Sequence, residues 1–95
     1  MSKPYVSIVL PAYNEEEAIA KVIDDVQASM RTTAYQYEIL VVDDGSTDST
    51  TRIVESFAQE NPAIRLIGND HRGKGYTVRT GMLAAQGHIV LFSDA

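Results

Sequence analysis

Ile39-Leu40-Val41-Val42-Asp43-Asp44-Gly45-Ser46-Thr47-Asp48 (ILVVDDGSTD) is the stretch from which the fold can be read. Four apolar residues, three of them good strand formers, run straight into two carboxylates, a glycine and a string of residues suited to capping a helix. A run that is apolar on both faces suits a strand in the middle of a parallel sheet, with helices covering both sides. In open α/β sheets the ligand lies beyond the carboxyl ends of the strands. Asp43 and Asp44 are therefore candidates for the floor of a site.

Upstream, Tyr5–Leu10 (YVSIVL) reads as a strand closed by Pro11. Asn14, with Glu17 three residues on, reads as the capping box of a helix. Ile19, Val22, Ile23, Val26 and Met30 give that helix one apolar stripe over about four turns. Arg31–Tyr35 is a polar connection, and Tyr37–Val42 is the second strand. Downstream, Gly45–Asp48 turns the chain, and Ser46 or Asp48 caps a helix that buries Ile53, Val54, Phe57 and Ala58. Asn61-Pro62 stops it. Ala63–Ile67 is a shorter, more polar strand suited to an edge. After the loop Gly68–Gly75 (GNDHRGKG), Thr77–Ala85 reads as a helix with Val78, Met82 and Ala85 inward and Gly87 as its C-cap. His88–Phe92 is the fourth strand. The order βαβαβαβ with right-handed crossovers predicts a Rossmann-like, doubly wound parallel sheet of strand order 3-2-1-4. Its crevice would be rimmed by Pro11–Glu15, Asp43-Asp44 and Asp94.

Ninety-five residues make one small domain at most. A net charge of −5 argues against nonspecific nucleic-acid binding. Without cysteine there is no disulfide, thiolate nucleophile or cysteine metal site. The longest apolar runs, Ile39–Val42 and Ile89–Phe92, are too short to cross a bilayer. The N-terminus lacks the apolar core of a signal peptide, so a cytoplasmic location is expected. The last residues, Phe92-Ser93-Asp94-Ala95, follow directly on an apolar run, where natural domains rarely stop. Residues 1–95 are therefore expected to be the N-terminal part of a longer domain. The open flank of the third or fourth strand invites self-association.

Each cluster on the rim admits two readings. One of Asp43 and Asp44 can cap the turn while the other is solvated, or a carboxylate can accept hydrogen bonds from a ligand N–H or hydroxyl. Tyr13 can stack on a planar ligand or simply pack. Glu15 sits where a carboxylate favours a helix N-terminus. Gly68…Gly73-Lys74 matches the start of a P-loop, but Gly75 stands where Ser or Thr must hold Mg2+, and the loop follows the third strand. It reads better as a basic loop whose Arg72 and Lys74, with Arg79, pair with a diphosphate, or else as a basic surface turn. Asp94 is placed to ligate a hard divalent cation, Mg2+ or Mn2+, as half a site. His71 and His88 have no partner at metal-ligand spacing and read as structural or exposed.

Together these motifs resemble the family 2 glycosyltransferases of the GT-A fold. The resemblance lies in Val6–Leu10 with Pro11-Ala12-Tyr13-Asn14-Glu15, in Val41–Asp48, in Arg72-Gly73-Lys74-Gly75 and in Phe92-Ser93-Asp94-Ala95. The segment Arg72–Gly81 and the run into Asp94 are similar, more narrowly, to the dolichyl- or polyprenyl-phosphate glucosyltransferases, with the related mannosyltransferases next. The resemblance implies a nucleotide-sugar site: Pro11, Ala12, Tyr13 and Glu15 as nucleoside contacts, Val42, Asp43 and Asp44 at the base, and Lys74 near the diphosphate. Asp94 and Ala95 match the first two positions of a D-x-D metal motif, whose third position lies beyond Ala95. It further implies transfer with inversion, UDP-glucose as the favoured donor and a lipid phosphate as acceptor. The full-length parent would then sit at the cytoplasmic face of a membrane. The catalytic base and acceptor residues would lie beyond Ala95, so the 95 residues alone would bind nucleotide at most. GDP-mannose is the alternative donor. A receiver-like α/β module is the alternative class, although its paired acids would follow the first strand.

Overall fold

A computed structural model describes residues 4–93. The elements follow in the order β1 (Val6–Ala12), α1 (Ile19–Arg31), β2 (Tyr37–Asp43), α2 (Thr50–Glu60), β3 (Ile64–Gly68), α3 (Lys74–Ala84) and β4 (Ile89–Phe92). All strand pairs are parallel and the sheet order is β3-β2-β1-β4, as the alternation of elements predicts. β1 and β2 pair from Val6↔Tyr37 to Ala12↔Asp43. Their carboxyl ends therefore finish level, at the rim.

The period-2 alternation of β1 and β2 divides the core. Val6, Ile8, Leu10, Ile39 and Val41 face α1 and α2, meeting Ile19, Ile23 and Val54. Val9, Leu40 and Val42 face the other way, toward Ile67, Val90 and the end of α3. The stripe predicted for α1 is the buried one: Ile19 and Ile23 are fully enclosed, and Val22, Val26 and Met30 pack beside them.

Four local expectations are corrected. β1 runs through Pro11 to Ala12 instead of stopping at Leu10. Val9 O accepts the Ser93 N–H, and alternation turns the Pro11 nitrogen to that same side, where β4 has already ended. Its missing N–H therefore costs no ladder bond among the described residues. Asn14 does not cap α1, which begins at Ile19 behind Ala18 with no side-chain cap. In α3 the inward residues are Thr77 and Gly81, whereas Met82 is 57% exposed. A Cβ on Gly81 would lie 2.3 Å from Val9 Cγ1 and 3.3 Å from Val42 Cγ2, so α3 lies closer to the sheet than a bulky side chain permits. Gly87 is not a helix cap: α3 has ended at Ala84, and the Gly87 N–H donates to Ser7 Oγ at 2.9 Å.

At the amino ends of the strands a buried carboxylate ties this turn down. Glu38 accepts from Ser7 Oγ, from the Gln86 N–H (2.7 Å) and from Arg65 (3.1 Å). The carboxyl ends are thereby left as the place for a site.

Candidate functional site

At the carboxyl rim, Asn14 adopts a left-handed conformation with φ 51°. From there it joins two loops: its N–H donates to Ser46 Oγ, and its Oδ1 accepts the Thr47 N–H, both at 2.8 Å. The Glu15 and Glu16 amides continue the seam, donating to Thr50 Oγ1 (2.8 Å) and Asp48 Oδ2 (3.2 Å). Asp48 also accepts the Thr50 N–H at 2.9 Å, although the N-cap of α2 is Ser49, which makes no side-chain cap bond. Burial pushes the Asp48 carboxyl pKa up, but the Thr50 hydroxyl and the Thr50 and Glu16 amides outweigh that and hold it below the ordinary value. The amide donors before α1 are thus spent on the neighbouring loop, which fixes Tyr13 in place.

The two aspartates separate in role. Asp43 turns back on its own loop, accepting the Ser46 N–H at 2.8 Å and the Ser46 hydroxyl. This is the capping arrangement that a short acidic side chain makes locally. Asp44 instead reaches across to the β3–α3 loop. Its Oδ1 accepts the Arg72 N–H at 2.8 Å and its Oδ2 the Gly73 N–H at 3.0 Å. His71 Nδ1 lies 3.0 Å from the same Oδ2, and the His71 ring stacks on Tyr13 with centroids 4.3 Å apart. Burial alone would raise the Asp44 pKa. The Arg72 and Gly73 amides, the charge of His71 and the Thr77 hydroxyl together bring it below the ordinary value. Gly45 permits the approach, because a Cβ there would meet the His71 backbone nitrogen at 2.9 Å.

These contacts enclose a cavity of about 310 Å3, lined by Pro11, Ala12, Tyr13, Glu15, Asp44, His71, Gly73, Lys74 and Thr77. Six residues expected from the sequence therefore meet there: Pro11, Ala12, Tyr13, Glu15, Asp44 and Lys74. Two expected residues do not line it. Val42 is fully buried in the core under α3, and Asp43 is committed to its turn. Asp94 and Ala95 lie outside the described residues. Among the described residues no cluster of three or more metal-ligating side chains occurs. Sequence reasoning missed His71, Gly73 and Thr77. The signal for them was their place in the β3–α3 loop and the first turn of α3. Arg72 projects over the Tyr76 ring at 5.2 Å, beside the cavity.

The arrangement provides an aromatic face, a buried carboxylate and a lysine within one concavity, a set suited to an aromatic N–H donor that carries an anionic group. A family model described as "Glycosyl transferase family 2" matches residues 7–95. The chain belongs to that family.

Family relatives extend the likeness. A dolichyl-phosphate beta-glucosyltransferase of Dictyostelium discoideum is 37% identical over 99 residues, covering 96% of this chain and 30% of the relative. The chain thus spans about a third of the length of such relatives. Among solved structures, the mannosyltransferase PcManGT from Pyrobaculum calidifontis, in complex with GDP-Man and Mn2+, is 30% identical with a TM-score of 0.81, over 99% of this chain and 28% of that one. Glucosyl-3-phosphoglycerate synthase from Mycobacterium tuberculosis, in complex with Mn2+, UDP and glucosyl-3-phosphoglycerate, is 30% identical with a TM-score of 0.75, over 96% and 33%. The architecture is that of the GT-A glycosyltransferases. Family membership sets aside the receiver-like alternative, and the paired acids indeed end β2 rather than β1.

Proposed function

We propose that this chain forms the nucleotide-diphosphate side of a glycosyltransferase that passes a sugar from a nucleotide sugar to a lipid phosphate, with inversion. UDP-glucose is the favoured donor and a dolichyl or polyprenyl phosphate the favoured acceptor. The observation that carries the reading is the meeting of Tyr13, Asp44 and Lys74, from three separate segments, in one cavity. Tyr13 stacks the base, Asp44 accepts a base N–H, and Lys74 with Arg72 offsets the diphosphate charge. The Dictyostelium discoideum relative carries the name dolichyl-phosphate beta-glucosyltransferase, and UDP is bound by one structural neighbour. GDP-mannose is the second reading, favoured by the neighbour that holds GDP-Man.

A divalent cation, Mg2+ or Mn2+, fits the chemistry of the chain's end. Ser93 still follows the course of β4 beside Val9, toward the rim, and the next residue is a carboxylate, Asp94. Asp94 would hold the ion, with the rest of its ligand set supplied elsewhere. When bound, such an ion stabilises charge developing on the leaving diphosphate. A lipid phosphate is already anionic as a nucleophile, so the chain's own residues need only bind and orient the donor.

The 95 residues alone bind nucleotide without turnover. In the parent protein the site faces the cytoplasm beside a membrane. No helix among the described residues is long and apolar enough to cross one. The β4 flank exposes Ile89, Leu91 and Phe92, and it associates with like surfaces. Sedimentation that stays strictly monomeric at every concentration would remove that last point.

Titration of UDP into the chain and into Tyr13→Ala tests the base contact. Stacking of a base on an aromatic ring is worth about 1–3 kcal/mol, so the substitution should weaken binding by about fivefold or more. Equal affinities would reject the role of Tyr13.

A further inference from the structure

We propose that His71 occupies the nucleobase position in the nucleotide-free chain and must leave it before a base can bind. The inference rests on the nucleotide reading of the cavity given above. A base read by Asp44 needs a flat ring against Tyr13 and an N–H directed at the carboxylate. His71 supplies the ring and sets its Nδ1 beside that carboxylate. Its ring is stacked on Tyr13 at 4.3 Å with the planes 21° apart, and its Nδ1 lies 3.0 Å from Asp44 Oδ2. The same nitrogen is 3.2 Å from the Asp44 carbonyl oxygen. Carboxylate and carbonyl both only accept, so Nδ1 carries the proton and donates.

The Asp44 oxygen in question has no room for a second guest. Oδ2 already accepts the Gly73 N–H, and the imidazole Nδ1, hydrogen-bonded to the Asp44 carbonyl, lies 3.0 Å from that same oxygen. A base N–H enters there only in place of His71. The ring is free to go: its side chain is 59% exposed, and the Arg72 and Gly73 amides hold the loop to Asp44 without it. His71 thus acts as a built-in competitor that keeps the Tyr13 face and the Asp44 carboxylate covered until a nucleotide displaces it. Apparent affinity falls by the fraction of molecules in which the site is open, so a ring in place nine-tenths of the time weakens binding about tenfold.

The test is titration of UDP into the 95-residue chain and into His71→Ala, an exposed position whose loss leaves both amide bonds to Asp44 intact. The variant should bind UDP about three- to tenfold more tightly. The second readout is the His71 ring-proton signals of the unsubstituted chain. Stacking under Tyr13 holds them upfield, and saturation with UDP should return them to the position of a solvent-exposed histidine. Equal or weaker binding by His71→Ala, or ring signals that stay upfield at saturation, overturns the inference and leaves the nucleotide reading standing. Absence of UDP binding by both proteins overturns the two together. Binding by the variant alone supports both.

Discussion

Asp44 is the residue at which three stretches of chain meet, and its protonation state decides whether they stay together. Its N–H donates to Ala12 O at 2.8 Å, and its carboxylate takes the two loop amides. Because its folded pKa is depressed, its contribution is fully present above the unfolded value, about 3.9 for aspartate, and is lost as pH falls through the lower folded value. The Arg72 and Gly73 amides should therefore be protected from hydrogen exchange at pH 6. They should lose protection below about pH 4, relative to sheet amides such as Leu40. Protection of these two amides unchanged down to pH 2, or absent already at pH 6, would show that the carboxylate does not hold the loop. Asp43, one residue earlier, keeps its side-chain bonds within its own turn, to Ser46. Adjacent identical residues differ in role because a strand alternates its side chains and a turn does not.

Among the elements, α3 sets the depth of the site, since its first turn carries Lys74 and Thr77 to the cavity with Gly73 just ahead of it. How closely it lies on the sheet depends on Gly81. Alanine there gains about 1 kcal/mol in helix propensity. Its Cβ would nonetheless press within 2.3 Å of a methyl of fully buried Val9, and overpacking of a core costs about 1–3 kcal/mol. Gly81→Ala should therefore lower the melting temperature, by several degrees for a domain of this size. An unchanged or raised melting temperature would mean that the helix shifts outward at no cost. This contact also marks the limit of what the sequence discloses. Apolar runs such as Ile39–Val42 and the stripe Ile19-Val22-Ile23-Val26-Met30 are legible because burial demands large apolar residues at fixed periods. The same rule misplaces the inward face of α3, where proximity to the sheet selects Thr77 and Gly81 and leaves Met82 and Leu83 outside. Asn14 looks like a helix cap by type and spacing, yet its partners are Ser46 and Thr47, more than thirty positions away. Long-range polar pairing has no period to read. His71, which reads from the sequence as structural or exposed, meets Asp44 and Tyr13 through the same kind of long-range contact.

The molecule as a whole has two unlike ends. At the amino ends of the strands a larger concavity, about 590 Å3, is lined by Glu38, Arg65 and Gln86, but its carboxylate is already satisfied by Ser7, Arg65 and a backbone amide. Its role is to hold the α3–β4 turn. At the carboxyl ends, the topology that places β1 between β2 and β4 brings Tyr13, Asp44 and Lys74 to one rim. Everything proposed for this chain depends on a nucleotide lying there. Backbone amide shifts of the isotopically labelled chain, followed during titration with UDP, test this most directly. The largest changes should map to residues 12–15, Asp44 and residues 71–74. Changes centred instead on residues 35–38, 61–65 and 86, or no localised changes at saturating UDP, would contradict it.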